Sequence, residues 1–196
     1  MDADRLTQQL AFLVEIDKLK GIIRRTHLIG VERFENTAEH SWHLAMGVLV
    51  LSEYADEAVD VMHVLQMVLV HDIVEIDAGD TYAYDPAAVA LQAEHEQRAA
   101  ERLFGLLPAD QAAHFRALWD EFEAYTSADA RFARAIDRLM PLLHNFYTEG
   151  RAWQEHGIRR AQVMALQGRI GEISGPLWDY AQGLIDEAVR RGYLAE

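Results

Sequence analysis

The segment from Asp60 to Glu75 constrains the fold most. It runs through Val64, Leu65, Val68 and Leu69 and is apolar nearly all round as a helix. A helix that is apolar all round has to be surrounded by other elements, so the segment is predicted at the centre of a helical bundle. It does not point to a membrane. The longest apolar run, Leu44 to Leu51, is far too short to span a bilayer.

Helical periodicity continues on both sides of this segment. Leu6, Leu10, Leu13, Val14 and Ile16 mark a first helix over 4–20, ended by Gly21. A polar, basic connector follows, with Arg24, Arg25, His27, Arg33 and Glu35. Asn36 and Glu39 have capping-box spacing and start a second helix near Thr37, which runs to about Tyr54. A turn-rich loop spans 77–86. Asp85 and Pro86 suit the N-cap and first position of a helix over 86–106. Pro108 opens another, to about Tyr125. Ser127 or Thr126 caps a helix containing Phe132, Ile136, Leu139, Leu143 and Phe146. Two more lie near 158–171 and 175–191. No convincing strand appears. The expectation is an all-α, single-domain bundle with short connections. A length of 196 residues suits one domain with a substantial core.

The pair His71-Asp72 closes the central helix. Neighbours on a helix point about 100° apart. They can share one ion only if it sits beside the helix and other elements complete the shell. Alone, such a pair is a weak signal. Two further residues strengthen it. His40 falls in the first turn of a helix able to pack against the central one. Asp137 lies between Ile136 and Leu139 on an amphipathic helix, where a buried carboxylate is costly unless paired or metal-bound. Pro141 lacks the N–H that would reach the Asp137 carbonyl, so a kink is possible there. The chain has no cysteine, which leaves His, Asp and Glu as metal ligands and fits a cytoplasmic location. Two imidazoles and two carboxylates suit one divalent ion among Mn, Co, Fe, Zn, Ni or Mg.

A formal net charge of −14 disfavours large nucleic acids as partners. A small phosphorylated substrate is still compatible, because a metal ion and an arginine reverse the field locally. The charged N-terminus, Met1-Asp2-Ala3-Asp4-Arg5, does not read as a signal peptide.

The order His40, His71-Asp72, Asp137 resembles the HD superfamily of metal phosphohydrolases. Glu39-His40-Ser41, His71-Asp72-x-x-Glu75 and Gly79-Asp80 look most like the branch that contains bacterial 5′-deoxynucleotidases and the eukaryotic HD-domain-containing protein 2. The resemblance covers about residues 5–150. It implies a helical HD fold, a homodimer, and one divalent metal on His40, His71, Asp72 and Asp137. It implies hydrolysis of a phosphomonoester such as a nucleoside 5′-monophosphate. Glu75 would protonate the leaving oxygen, and Asp72 or Asp80 would position water. Arg25, fifteen residues before His40, would orient the phosphate, with Arg24 as its rival. Substrate would touch Arg25, Thr26, His40, Asp80, Thr81, Tyr82 and Ala83. Thr26 stands where those enzymes have tryptophan, and 81–85 where they have a proline-rich segment.

Three readings stay open beside this one. Hydrolysis of a phosphodiester or a nucleoside triphosphate is one. A non-catalytic, metal-stabilised binding domain is another. Finally, the apolar face of Leu177, Trp178, Leu184, Ile185 and Val189 either caps the core or forms a dimer contact. His43, three residues after His40, reads as a core or supporting residue.

Overall fold

The computed structural model describes residues 3–80, 84 and 86–196. Thr81, Tyr82, Ala83 and the cap residue Asp85 lie outside the described residues. The helices are α1 (Ala3–Ile16), α2 (Thr37–Leu51), α3 (Val61–Val70), α4 (Glu75–Ala78), α5 (Pro86–Phe104), α6 (Ala109–Ala124), α7 (Ala128–Tyr147), α8 (Arg151–Glu155), α9 (Arg160–Gln167) and α10 (Gly175–Arg190). The fold is helical.

α3 takes the central place. It packs against α2, α6 and α7, and Val64, Met67 and Val68 are fully buried. Asp60 caps it by accepting from the backbone of Met62 and His63. Burial is not complete, however. Met62 and Leu69, seven residues apart on one face, stay exposed.

α3 also ends before the predicted Glu75. After Val70 the ladder tightens, with Ile73 N–H bonding to Val70 and Glu75 N–H to Asp72. His71 and Asp72 therefore sit in a turn between α3 and α4 rather than inside a helix. Similar tightening ends α1 and α2, whose last predicted turns are 3₁₀ at Asp17–Gly21 and Ser52–Tyr54. The helix expected over 158–171 is α9 followed by a 3₁₀ turn, Gly168–Glu172. α7 runs through Pro141 without interruption.

The expectation of no strand is corrected. Ile23–His27 (β1) and Phe34–Asn36 (β2) form an antiparallel ribbon with an irregularity in its register. An isolated two-stranded ribbon is marginal in water. This one is held from outside, by contacts of β1 with α7 and α8 and of β2 with α2. Tertiary packing, not local alternation, makes these strands, so the sequence pattern does not announce them.

One continuous core runs from Phe12 to Leu194. Leu177, Leu184 and Ile185 are buried in it, and Trp178 and Val189 pack against it. The apolar face of α10 is thus used inside the chain. Among the described residues, no helix is long and apolar enough to cross a membrane.

Candidate metal centre

Three elements bring the predicted ligands together. The capping box forms as expected. Glu39 N–H donates to Asn36 Oδ1 at 3.0 Å, and Asn36 N–H to Glu39 Oε2 at 3.1 Å. This fixes the start of α2 and points His40 inward from its first turn, where it is fully buried. The turn after α3 supplies His71 and Asp72. α7 supplies Asp137.

His40 Nε2 lies 3.0 Å from Asp137 Oδ1 and 3.9 Å from Asp72 Oδ2. His71 Nε2 lies 3.0 Å from Asp72 Oδ1 and 3.9 Å from Asp137 Oδ1. The four side chains thus face one point. His71 Nδ1 is 3.0 Å from the Val68 carbonyl, which can only accept. That bond places the proton on Nδ1 and leaves a lone pair on Nε2. Nε2 is buried and has no hydrogen-bond partner. A lone pair aimed among carboxylate oxygens is unfavourable unless a cation joins them, so the donor set fits a divalent metal.

Charge points the same way. Burial pushes the Asp137 carboxyl up, but its bond to His40 and the nearby charges hold it well below the usual carboxylate range. Asp72 also falls below its ordinary value: burial opposes ionisation, and His71 and Arg24 outweigh it. For His40, burial and Arg24 favour the neutral ring, yet the bond to Asp137 and the nearby Glu35 carboxylate move it upward. Glu75 moves the other way from Asp72 and Asp137. Burial first, and the charge of Asp72 second, raise it well above the carboxylate range. Asp80 is raised by burial against the pull of Arg24. Even without Glu75, the carboxylates of Asp72, Asp80, Asp137 and Glu35 outnumber the one guanidinium of Arg24, and that negative excess favours a cation.

Arg24, not Arg25, sits among these groups. Its Nη1 lies 3.3 Å from Asp72 and 3.4 Å from Asp80, and its Nε lies 3.3 Å from Glu35. Side chains alternate along β1, so Arg25 is exposed, on the rim of the same cavity with Thr26. Asp80 follows Gly79, whose φ of 79° is the left-handed region that glycine enters freely. Gln92 Nε2 donates to the Gly79 carbonyl at 2.8 Å and pins this turn.

Two residues in the site carried no functional signal in the sequence. Glu35 is buried, with Oε2 3.5 Å from His40 Nδ1 and Oε1 3.7 Å from His144 Nε2. It stands on the Nδ1 side of the candidate ligand His40, where a carboxylate can orient the ring. Thr37 donates its hydroxyl to Glu75 Oε2 at 2.8 Å. His43 is half-buried, edge-to-face with His144, and does not line the cavity. His27 pairs with Glu155 at 2.8 Å, outside it.

The cavity over the site has a volume of about 490 Å³. This is the size range of small-molecule sites. Asp72, Glu75, Asp80 and Asp137 line one end. Asn145, Trp153 and Gln167 line another part.

A model of the HD domain family matches residues 16–178. The chain belongs to the HD-domain family. This HD-domain protein is 58% identical to a protein of Magnetospirillum magnetotacticum described as a predicted metal-dependent phosphohydrolase. The two structures align over 98% of this chain and 97% of the other, with a TM-score of 0.94. Human 5′-deoxynucleotidase HDDC2 is 27% identical over 135 residues, 68% of this chain. That match spans 65% of the human protein's length. An HD-domain phosphohydrolase of Listeria innocua shares the fold at 16% identity, with a TM-score of 0.60 over 93% of this chain and 86% of the other.

Proposed function

We propose that this HD-domain protein is a metal-dependent phosphomonoesterase whose substrate class is the nucleoside 5′-monophosphates. One observation carries the reading: a buried carboxyl whose pKa burial raises, Glu75, and a buried guanidinium, Arg24, stand against the His40–His71–Asp72–Asp137 quartet at one end of a nucleotide-sized cavity. The names of the relatives above support it.

When bound, a divalent ion on those four ligands supplies electrostatic stabilisation of the phosphoryl charge and acidifies nearby water. The chain's own groups do the rest. Arg24 offers guanidinium N–H groups to the phosphoryl oxygens, and Asp72 and Asp80 hold it in place. Asp80 accepts a hydrogen bond from water and orients it for in-line attack. As the water oxygen bonds to phosphorus and its proton passes to Asp80, the ester P–O bond breaks. Glu75 passes its proton to the leaving oxygen and recovers one from solvent. Thr37, through its hydroxyl on Glu75 Oε2, keeps the other oxygen turned toward the cavity.

The test is phosphate release by metal-stripped protein, with single divalent metals restored, over nucleoside and sugar monophosphates. Metal-dependent release from nucleoside 5′-monophosphates is expected. No release from any monophosphate with any metal would overturn the reading.

A further inference from the structure

The cavity extends past the metal centre along α7. Asp137, Pro141 and Asn145 lie one turn apart on one helix face, which places Asn145 about 12 Å from Asp137 along the axis. On residues of this cavity, four buried polar atoms have no hydrogen-bond partner: Arg138 Nε, Asn145 Oδ1, Trp153 Nε1 and Gln167 Oε1. All four residues line the same cavity as the metal ligands. Trp153 is 1% exposed and Gln167 3%.

These side chains are not simply loose. Arg138 Nη1 donates to the Leu166 carbonyl at 3.0 Å, and Asn145 Nδ2 donates to the Pro141 carbonyl at 2.8 Å. In both, one polar atom is anchored and another is left over. Native structures leave few buried polar atoms unpaired, because each loses its water without replacement. Among the described residues, the other unpartnered atoms belong to Arg24, Glu35, His40 and His71 at the metal centre, and to Arg131. Apart from Arg131, the orphans therefore belong either to the metal centre or to these four cavity-lining residues. Another stretch of the cavity wall differs, because Arg134 and Glu123 satisfy each other there at 2.7 Å.

The four orphans comprise two donors, on Arg138 and Trp153, and two acceptors, on Asn145 and Gln167. An anion would use the donors and leave the acceptors unpaired. The same lining includes the apolar residues Pro141, Leu142, Ala152 and Leu166. That combination suits a flat, neutral ring whose faces are apolar and whose edge both donates and accepts.

We propose that this wall is a nucleobase-recognition subsite, in which Arg138, Asn145, Trp153 and Gln167 hydrogen-bond the edge of a neutral heterocycle. It rests on the phosphomonoesterase reading for the orientation of the substrate, with phosphate at Arg24 and the base near Asn145. It uses none of the catalytic residues.

Trp153→Phe removes one donor and keeps the ring. Gln167→Met removes one acceptor and keeps the length. The readout is the preference of the metal-loaded full chain for nucleoside 5′-monophosphates over deoxyribose 5-phosphate, as a ratio of kcat/KM values. Each variant should lower that ratio about tenfold, equivalent to about 1.4 kcal/mol, chiefly through KM. Binding of free nucleosides, followed by calorimetry, should weaken in parallel. An unchanged ratio in both variants would overturn the subsite, as would a wild type that hydrolyses deoxyribose 5-phosphate as well as nucleotides. Either result leaves the phosphomonoesterase reading in place. Conversely, if no phosphate is released but nucleosides bind and the variants lose that binding, the subsite stands and the phosphomonoesterase reading falls.

Discussion

Two clusters of histidine and carboxylate lie side by side, and they have different work. One is His40, His71 and Asp72, joined by Asp137. The other is Glu35, His43 and His144. In each named trio, ligand-type atoms lie within 4.8 Å of one another. Each also has a histidine whose Nδ1 meets a carbonyl about one turn back, His71 at Val68 and His144 at Met140. Spacing alone does not separate them.

Access and charge do. His71, Asp72 and Asp137 line the cavity, whereas Glu35, His43 and His144 do not. The first cluster has an excess of negative charge after Arg24 is counted. The second has one carboxylate, already facing Arg24 at 3.3 Å and His40 at 3.5 Å. The second cluster therefore serves as the brace of the first, with Glu35 as the shared residue. Ligand spacing makes a catalytic site only where a substrate can arrive and charge is left to neutralise.

The largest effect expected from this difference is at His71. His71→Ala removes the ligand whose Nε2 is unpartnered and leaves Asp72 and Asp137 without one imidazole. Metal content, measured by elemental analysis, and phosphate release should vanish together. Full activity in a metal-free His71→Ala protein would break the comparison at its root. Next is Glu75→Gln, which removes the proton donor while keeping all four ligands. Turnover should fall about 10²- to 10⁴-fold with the metal still bound.

The same residue sets a pH dependence. Its folded carboxyl titrates well above its unfolded value because burial disfavours the charge. In metal-free protein, the stability it contributes is complete below the ordinary carboxylate range. That stability is lost as pH rises through the raised value. Denaturant melts over a pH series should show wild type losing stability relative to Glu75→Gln as pH rises. Parallel curves would show that Glu75 is not the group responsible.

Much of this could be read from the residues, and the rest was hidden for physical reasons. Helix starts are local. Asn36 and Glu39 announce the cap that aims His40, and Ser127 announces the start of α7 by accepting from Ala130 N–H. Asp137 stands out because a carboxylate on an apolar stripe needs a reason. The choice between Arg24 and Arg25 was not local. It depends on a ribbon that exists only because α2, α7 and α8 hold it, and on which strand face turns inward. Glu35 looked like any other connector charge, since its partners His40, Arg24 and His144 meet only in the folded chain. Trp153 and Gln167 belong to short helices that complete a wall begun on α7. No periodicity in 151–167 points to a cavity.

Smaller effects sharpen the boundary between the two clusters. Glu35→Gln keeps the shape of the brace and removes its charge. His40 then loses the carboxylate that orients its ring, and metal affinity should fall about 10- to 100-fold, measured by competition with a chelator. Unchanged affinity would mean that the capping box and burial alone orient His40.

The smallest effect is expected at His43, and it tests the second cluster directly. Its ring is half-buried and touches His144 edge-on, with burial and the neighbouring His144 lowering its pKa. A histidine that resists protonation can pack against another, and it can also offer a lone pair to a metal. Stoichiometry separates these roles. If the cluster is only a brace, wild type and His43→Asn each bind one divalent ion per chain, and the variant loses about 1 kcal/mol of stability at most. If wild type binds two ions and His43→Asn binds one, Glu35 ligates a metal in its own right. The first cluster would then lose its brace whenever the second is filled.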